Sequence, residues 1–323
     1  MINYATLLLV LSQAGMTLYP LLIKLVPSNL ETQTAIRFIT YSFLALLGSF
    51  FSDTSLLSYS ALEYAGFGMI NLVHVIASYV CFRMLSSGIS YTLFYTYPIF
   101  NLLGRMLFYG ERIQPMNFIY IGIAFLGVYI LTRRTDSTQP TTQQPTTLQA
   151  TTTENQEQGL LASNPLLIGS LMGILSAITE STMYLLVKDA PVAKSAFQQI
   201  SRFYLLGGII GIIFLGYTLL FKDRNNTIEN YVDDKTYSIL DFQISWKPLL
   251  EIILFNALIG FVGYTIVYYV IPRTNTIQFN TYIFLGIIFS YMWGYVLNNE
   301  AIPPQNVLGS LLILFSIVMV NWK

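Results

Sequence analysis

Apolar windows long enough to cross hydrocarbon recur along this chain, and no other feature restricts its fold as much. A spanning helix needs about 20 mostly apolar residues. Ten windows of that kind lie at about 4–25, 32–52, 62–83, 87–109, 116–132, 165–187, 201–221, 249–271, 275–297 and 304–321. Only 10% of the residues are charged, against about 25% in soluble domains. The windows have helical length, unlike the ten-residue alternating segments of a membrane barrel. The expected fold is therefore all-α: a polytopic membrane protein with ten transmembrane helices. The first window lacks a basic flank and no small-residue cleavage site follows it, so it reads as a retained helix and not a signal peptide.

Several chemistries are excluded early. Zero formal net charge implies no nucleic-acid partner. The single cysteine, Cys81, permits neither an internal disulfide nor a cysteine-based metal cluster, and the single histidine, His74, cannot build a multi-histidine iron site. No GxxxxGK[ST] loop is present to bind ATP. No cofactor or metal site is expected.

The stretch "TRRTDSTQPTTQQPTTLQATTTENQEQG" between windows five and six has almost no apolar content and cannot bury enough surface to fold. It divides the chain into a first five-helix unit, 1–134, a disordered Thr/Gln/Pro linker, 135–163, and a second unit, 164–323. The halves repeat. A shift of 185 superposes Asn71 on Asn256, Tyr79 on Tyr264, Phe94 on Phe279 and Tyr97 on Tyr282. A shift of 189 pairs Glu111 with Glu300 and Pro115 with Pro304, while one of 164 pairs Leu21, Leu22 and Lys24 with Leu185, Leu186 and Lys188. One further residue pairs Arg37-Phe38 with Arg202-Phe203. Five spans is an odd number, so the second unit enters the bilayer from the opposite side and the repeats are inverted. That is a signature of secondary transporters, whose halves exchange inward-open and outward-open shapes around a midplane site.

"LYPLLIK" in window one, "FYTYPIFNLL" in window four and "YGERIQPMNFIYIGIAFLGVYIL" across window five, together with the five-plus-five plan, resemble the EamA-like branch of the drug/metabolite transporter superfamily. In the second half Ile283 stands where Pro98 would fall and Gly110-Glu111 becomes Asn299-Glu300, a weaker match. The resemblance implies a solute cavity between two helix sets and cytoplasmic termini. It also implies a last span in each half that serves as scaffold or dimer contact, and movement of amino acids, sugar phosphates, nucleotide sugars or drug-like metabolites.

Window four carries polar residues that lipid would not accept. Tyr91, Tyr95, Pro98 and Arg105 share one helical stripe, with Ser90, Tyr97, Asn101 and Gly104 beside it. A proline in a spanning helix frees a carbonyl and kinks the axis, which calls for protein or cavity water alongside. This face is expected to border a cavity; the competing reading is interhelical packing. Asn71, His74, Ser78 and Cys81 share a face of window three, answered by Asn256, Gly260 and Tyr264 in window eight. Tyr184 and Tyr282 complete the expected solute contacts.

Glu180 lies mid-span, where a carboxylate is unfavourable by several kcal/mol unless protonated, paired or wet. It is the expected proton-coupling group, with a protonated packing residue as the alternative. Lys24, Lys188, Arg37 and Arg202 sit near window ends and are expected to snorkel to headgroups. If Lys24 or Arg37 turned inward instead, they would be anion contacts. Glu111 and Glu300 are expected to brace the turns before the last span of each half. Asp233-Asp234 reads as solvated surface, and Gly122 and Gly127 as weak packing signals.

Lys and Arg counts leave orientation nearly balanced. The Thr/Pro tract and the sequon Asn225-Asn226-Thr227 favour an outside position for the loops opposite the termini. The expected function is a secondary transporter of a small organic solute, working by alternating access. The expected partners are that solute, the bilayer and, through the last spans, a homodimer. An intramembrane lipid-modifying enzyme and a noncatalytic membrane assembly protein are the alternatives.

Overall fold

The computed structural model describes residues 4–26, 28–52, 59–110, 115–132, 164–188, 195–221, 246–273, 279, 283 and 285–321. Among these every regular element is helical. The linker 135–163, the sequon, Asp233-Asp234, Glu111 and Tyr282 lie outside the described residues.

The elements are α1 (Tyr4–Met16), α2 (Tyr19–Leu25), α3 (Leu30–Phe51), α4 (Ala61–Met84), α5 (Ser87–Phe94), α6 (Tyr97–Tyr109) and α7 (Pro115–Thr132). After the linker come α8 (Pro165–Lys188), α9 (Ala196–Phe221), α10 (Trp246–Phe255), a π-helical turn (Asn256–Phe261), α11 (Val262–Val270), α12 (Leu285–Asn298) and α13 (Pro304–Asn321). Among the described residues six segments are long and apolar enough to cross a membrane, at 7–25, 30–51, 61–84, 165–187, 196–217 and 247–273, and shorter apolar helices lie at 115–131, 285–298 and 304–319. Phe51, Leu62, Leu107 and Phe108 lie exposed on the outside of the bundle, where lipid and not water is the favourable solvent. The protein is an integral, multi-pass membrane protein.

Two windows expected as continuous helices are broken. Window one splits at Thr17-Leu18 and window four at Tyr95-Thr96. Each break lies just upstream of a proline, Pro20 or Pro98, which occupies the first turn of the next helix. There the missing N–H costs nothing, and the fixed φ suits helix initiation. The expected kink at Pro98 is therefore a full interruption, and the single stripe from Tyr91 to Arg105 does not survive across it.

The first break also determines who its neighbours are. Pro20 cannot donate to the Met16 carbonyl four residues back; the Tyr91 hydroxyl of α5 donates to it instead. The Ala14 carbonyl accepts from Trp293 Nε1 of α12 at 2.9 Å. Window eight is irregular in a third way, a π turn that begins at Asn256.

Capping chemistry moved two helix starts outward. Asn29 caps α3 through Thr32 N at 2.8 Å. Ser195 and Gln198 cap α9 reciprocally, Gln198 N donating to Ser195 Oγ at 3.2 Å and Ser195 N to Gln198 Oε1 at 3.1 Å. Arg37 and Arg202 consequently sit a turn or more inside their helices rather than at the ends.

Helix α3 packs along α9, α4 along α8, and α7 along α13. The last contact is glycine-mediated. A Cβ on Gly127 would lie 2.7 Å from the Gly309 carbonyl, and one on Gly309 2.9 Å from the Gly127 carbonyl, while Gly122 faces open space. The central core is dominated by aromatic residues, among them Tyr19, Tyr41, Tyr79, Tyr97, Phe203 and Tyr204.

Candidate functional site: a buried cavity beside the helix breaks

Both helix breaks border one internal cavity, with about 30 Å³ of free space. Gln13, Met16 and Tyr19 reach it from the broken first span, and Tyr91, Phe94, Tyr95 and Tyr97 from the broken fourth. Arg37 of α3, His74, Ser78 and Phe82 of α4, Glu180 and Tyr184 of α8, and Tyr264 and Val267 of α11 complete the wall. In this conformation that is room for about two water molecules, less than the roughly 300–1,000 Å³ of small-molecule sites, so a bound solute requires the surrounding helices to part.

Of the sequence-predicted contacts, His74, Ser78, Tyr91, Tyr95, Tyr97, Tyr184, Tyr264, Glu180 and Arg37 are thus brought together on one surface. Asn71, Asn101 and Asn256 lie outside it, between helices. Asn71 Nδ2 donates to the Phe203 carbonyl at 3.0 Å. Asn101 Oδ1 accepts from Ser181 at 2.8 Å. Asn256 accepts from Tyr19 at 2.9 Å and donates to the Ile252 carbonyl at 2.8 Å. Pro98 acts through the break and not by contact. Gln13 and Tyr19 were not singled out from the sequence. The signal for Tyr19 was present: "TLYP" at 17–20 and "YTYP" at 95–98 place a tyrosine directly before each break-forming proline.

Arg37 does not snorkel. It is 2% exposed, and its guanidinium lies over the rings of Tyr19, Tyr41, Tyr79, Tyr264 and Tyr204 at 4.6, 5.3, 5.4, 5.4 and 5.9 Å. Nη2 donates to Tyr204 OH at 3.0 Å, and Nε has no hydrogen-bond partner among the described residues. Ring faces attract a cation but leave its charge uncompensated. No ion pair among the described residues includes Arg37.

Glu180 is 4% exposed, and its Oε2 lies 3.4 Å from His74 Nε2. The other ring nitrogen, Nδ1, lies 3.2 Å from the Ser176 carbonyl. Nδ1 also lies 3.3 Å from the Ser176 and Thr179 hydroxyls; in the tautomer that donates Nδ1–H to the carbonyl, Nε2 turns a lone pair toward the carboxyl. Two facing acceptors need one proton between them. Because α8 runs past both α4 and the fourth span, the same carboxyl also faces Tyr97, which stacks on Tyr184 at 4.9 Å.

The hydroxyls divide into committed and free. Tyr19 bonds Tyr41 at 2.6 Å, Tyr95 donates to Gln13 Oε1 at 2.5 Å, and Tyr91 donates to the Met16 carbonyl. The Tyr97 hydroxyl, like Arg37 Nε and Glu180 Oε2, is buried without a hydrogen-bond partner among the described residues. Buried polar atoms in such a state are rare and point to a ligand or water.

A second polar cluster joins three helices at one end of the bundle. Lys24 Nζ lies 2.6 Å from Glu300 Oε1, the same carboxyl accepts from Ser87 N at 2.6 Å, Ser87 Oγ at 2.9 Å and Asn298 Nδ2 at 3.0 Å. Lys24 is therefore an ion-pair partner, not a headgroup anchor. Glu300 does brace its turn, and it ties α2 and the N-terminus of α5 to that turn as well. Burial would raise the Glu300 pKa, but the Lys24 charge and the donated hydrogen bonds hold it below the ordinary carboxylate range. At the far end of α4, about 36 Å away by helix rise, Arg202 lies 3.4 Å from Glu63 and 3.5 Å from the Phe67 ring centre. Arg202 too is held inside by partners, at 8% exposure.

No curated protein matches this sequence. A solved crystal structure, whose title describes it only as a protein, aligns with a TM-score of 0.55 and 13% identity over 98% of this chain and 94% of that one; at that identity the likeness concerns the fold alone. The family model for EamA-like transporters matches twice, over residues 3–133 and again over 167–322. With both halves of the chain covered, the protein belongs to the EamA-like transporter family of the drug/metabolite transporter superfamily.

Proposed function

We propose that this chain is a secondary carrier that moves a small organic solute by alternating access, with the cavity as its binding site and no reaction catalysed. The observation that carries the reading is a buried cavity where Arg37, Glu180 and Tyr97 keep unpartnered polar atoms next to two interrupted helices. Charged groups at membrane depth are costly, by roughly 3 kcal/mol or more each, and persist where function requires them.

The reading includes ten spans in two inverted units, 1–134 and 164–323. Helix pairing supports it. Under the sequence correspondence, α3 and α9 are counterparts that pack on each other, as are α7 and α13. The contact of α4 with α8 is mirrored by that of α11 with α1. Gly110 and Asn299, which precede the paired glutamates, both have left-handed backbone, at φ 66° and 50°. The termini face the cytoplasm in this reading, and Glu180 couples transport to protons. The pairing of α7 with α13 within one chain turns their small-residue faces inward, so a homodimer would use their outer surfaces.

The test is uptake into proteoliposomes, with and without a pH gradient, of a panel of amino acids, sugar phosphates, nucleotide sugars and aromatic acids and amines. Gradient-driven uptake that Glu180→Gln or Tyr97→Phe alters supports the proposal. Absence of movement for every solute, with both variants identical to the parent, refutes it.

A further inference from the structure

We infer that the cavity takes a monoanionic organic solute at Arg37 and takes up one proton at the His74–Glu180 pair in the same event, so that the two cross the membrane together without net charge. This rests on the carrier reading above.

Charge accounting leads there. Among the described residues, the fixed charge in the cavity wall is the Arg37 guanidinium, whose hydrogen-bonding and ring partners are all neutral tyrosines. The other ionisable groups on the wall, apart from tyrosines, are His74 and Glu180. With one proton shared between Nε2 and Oε2 this pair is neutral and the wall carries +1. Without that proton the pair carries −1 and the wall is neutral. A monoanion therefore meets a net attractive site only when the pair is protonated, and the loaded cavity is then neutral again. Besides His74 of α4 and Arg37 of α3, the groups facing Glu180 from other elements are tyrosines: Tyr95 and Tyr97 at the fourth-span break, Tyr204 of α9, and Tyr264 and Tyr268 of α11. None of these tyrosines supplies a competing proton near neutral pH.

Geometry gives the receptor atoms. Arg37 Nε is an unpartnered donor on a side chain about 98% buried, and the Tyr97 hydroxyl is a second. A carboxylate accepts from a guanidinium in a directed, charge-assisted way. The remaining wall, with Phe82, Phe94, Tyr91 and Tyr184, suits a flat apolar body.

Three probes with the same ring and different charge separate the alternatives: benzoate, benzyl alcohol and benzylammonium, with lactate as a smaller monocarboxylate. Affinity for the purified full-length protein is measured by thermal shift and titration between pH 5 and pH 8. The expected result is stabilisation by a monocarboxylate and not by the alcohol or the amine. Its affinity should weaken up to tenfold per pH unit once the pair has lost its proton, the slope for one linked proton. In Glu180→Gln the charge is fixed at +1, so binding should persist and become flat with pH. Arg37→Lys should keep weakened anion binding while Arg37→Met loses it; the lysine variant guards against misfolding as the cause. Stabilisation by benzylammonium or benzyl alcohol with none by either carboxylate overturns the inference and leaves the carrier reading intact, as does an unchanged pH slope in Glu180→Gln. If no probe binds and the wider uptake panel also fails, the carrier reading falls and the inference falls with it.

Discussion

Cutting the joint between Lys24 and Glu300 is expected to open one end of the cavity. The pair spans 2.6 Å, and the two side chains are 17% and 13% exposed. Removing one partner of a buried pair costs about 3–5 kcal/mol, because the other charge is left without its counterion. Partial exposure favours the lower end, and three hydrogen bonds still reach Glu300 in Lys24→Met. About 2–3 kcal/mol is then withdrawn from the arrangement in which α2, α5 and the turn at Glu300 meet, which corresponds to roughly 30- to 150-fold in an equilibrium constant. The assay uses a Cys81→Ser background with Ser78→Cys on the cavity wall, labelled by a membrane-impermeant maleimide. Labelling of Lys24→Met and Glu300→Gln should accelerate by about that factor. Lys24→Met/Glu300→Met, which leaves no bare charge, should lie much nearer the parent, because replacing a buried pair with apolar groups is close to neutral. Equal labelling rates in all four proteins would refute the idea that this joint holds the end shut.

Acid should act on the same joint. The folded-state pKa of Glu300 is depressed, so its stabilisation is fully present above the ordinary carboxylate range and is lost as pH falls through the folded value; labelling should be flat near neutrality and rise only in strong acid, and Glu300→Gln should remove the rise. Gly260→Ala would put a Cβ 1.9 Å from Tyr19 OH and 2.2 Å from Tyr41 OH. It should lower the melting midpoint by an amount equivalent to about 1–3 kcal/mol. Tyr97→Phe removes a buried hydroxyl without a partner, so its melting midpoint should hold or rise while solute affinity changes. Gly309→Val would drive side-chain atoms into the Gly127 carbonyl and Leu131, and should destabilise the α7–α13 contact, read as faster proteolysis or easier thermal unfolding.

Helical class and the polar wall of window four were legible in the sequence because both follow from local composition. Hydrocarbon length reports a span, and tyrosines, histidine and glutamate at mid-span report a lined interior. What escaped depended on partners remote in sequence or on helix ends. Arg37 read as an anchor because the start of α3 was placed too late. Once Asn29 caps the helix, the guanidinium falls among tyrosines from α2, α4, α9 and α11. Arg202 escaped in the same way through the Ser195–Gln198 cap. Asn71 and Asn256 read as cavity contacts, yet helix periodicity cannot distinguish a face turned to a cavity from one turned to a neighbouring backbone. The breaks were signalled only by prolines, which mark a disturbance without giving its extent.

The interrupted first span has a consequence for how the chain is made. Its Met16 carbonyl is satisfied by Tyr91, a residue synthesised 75 positions later, whereas its Ala14 carbonyl already accepts from the nearby Thr17 hydroxyl at 3.0 Å. Until that helix arrives, one bare acceptor faces the bilayer interior, where it costs several kcal/mol. This interrupted span is thus completed only once α5 has been made, and any nascent chain that ends before α5 displays an unfinished helix to the machinery that inspects new membrane proteins.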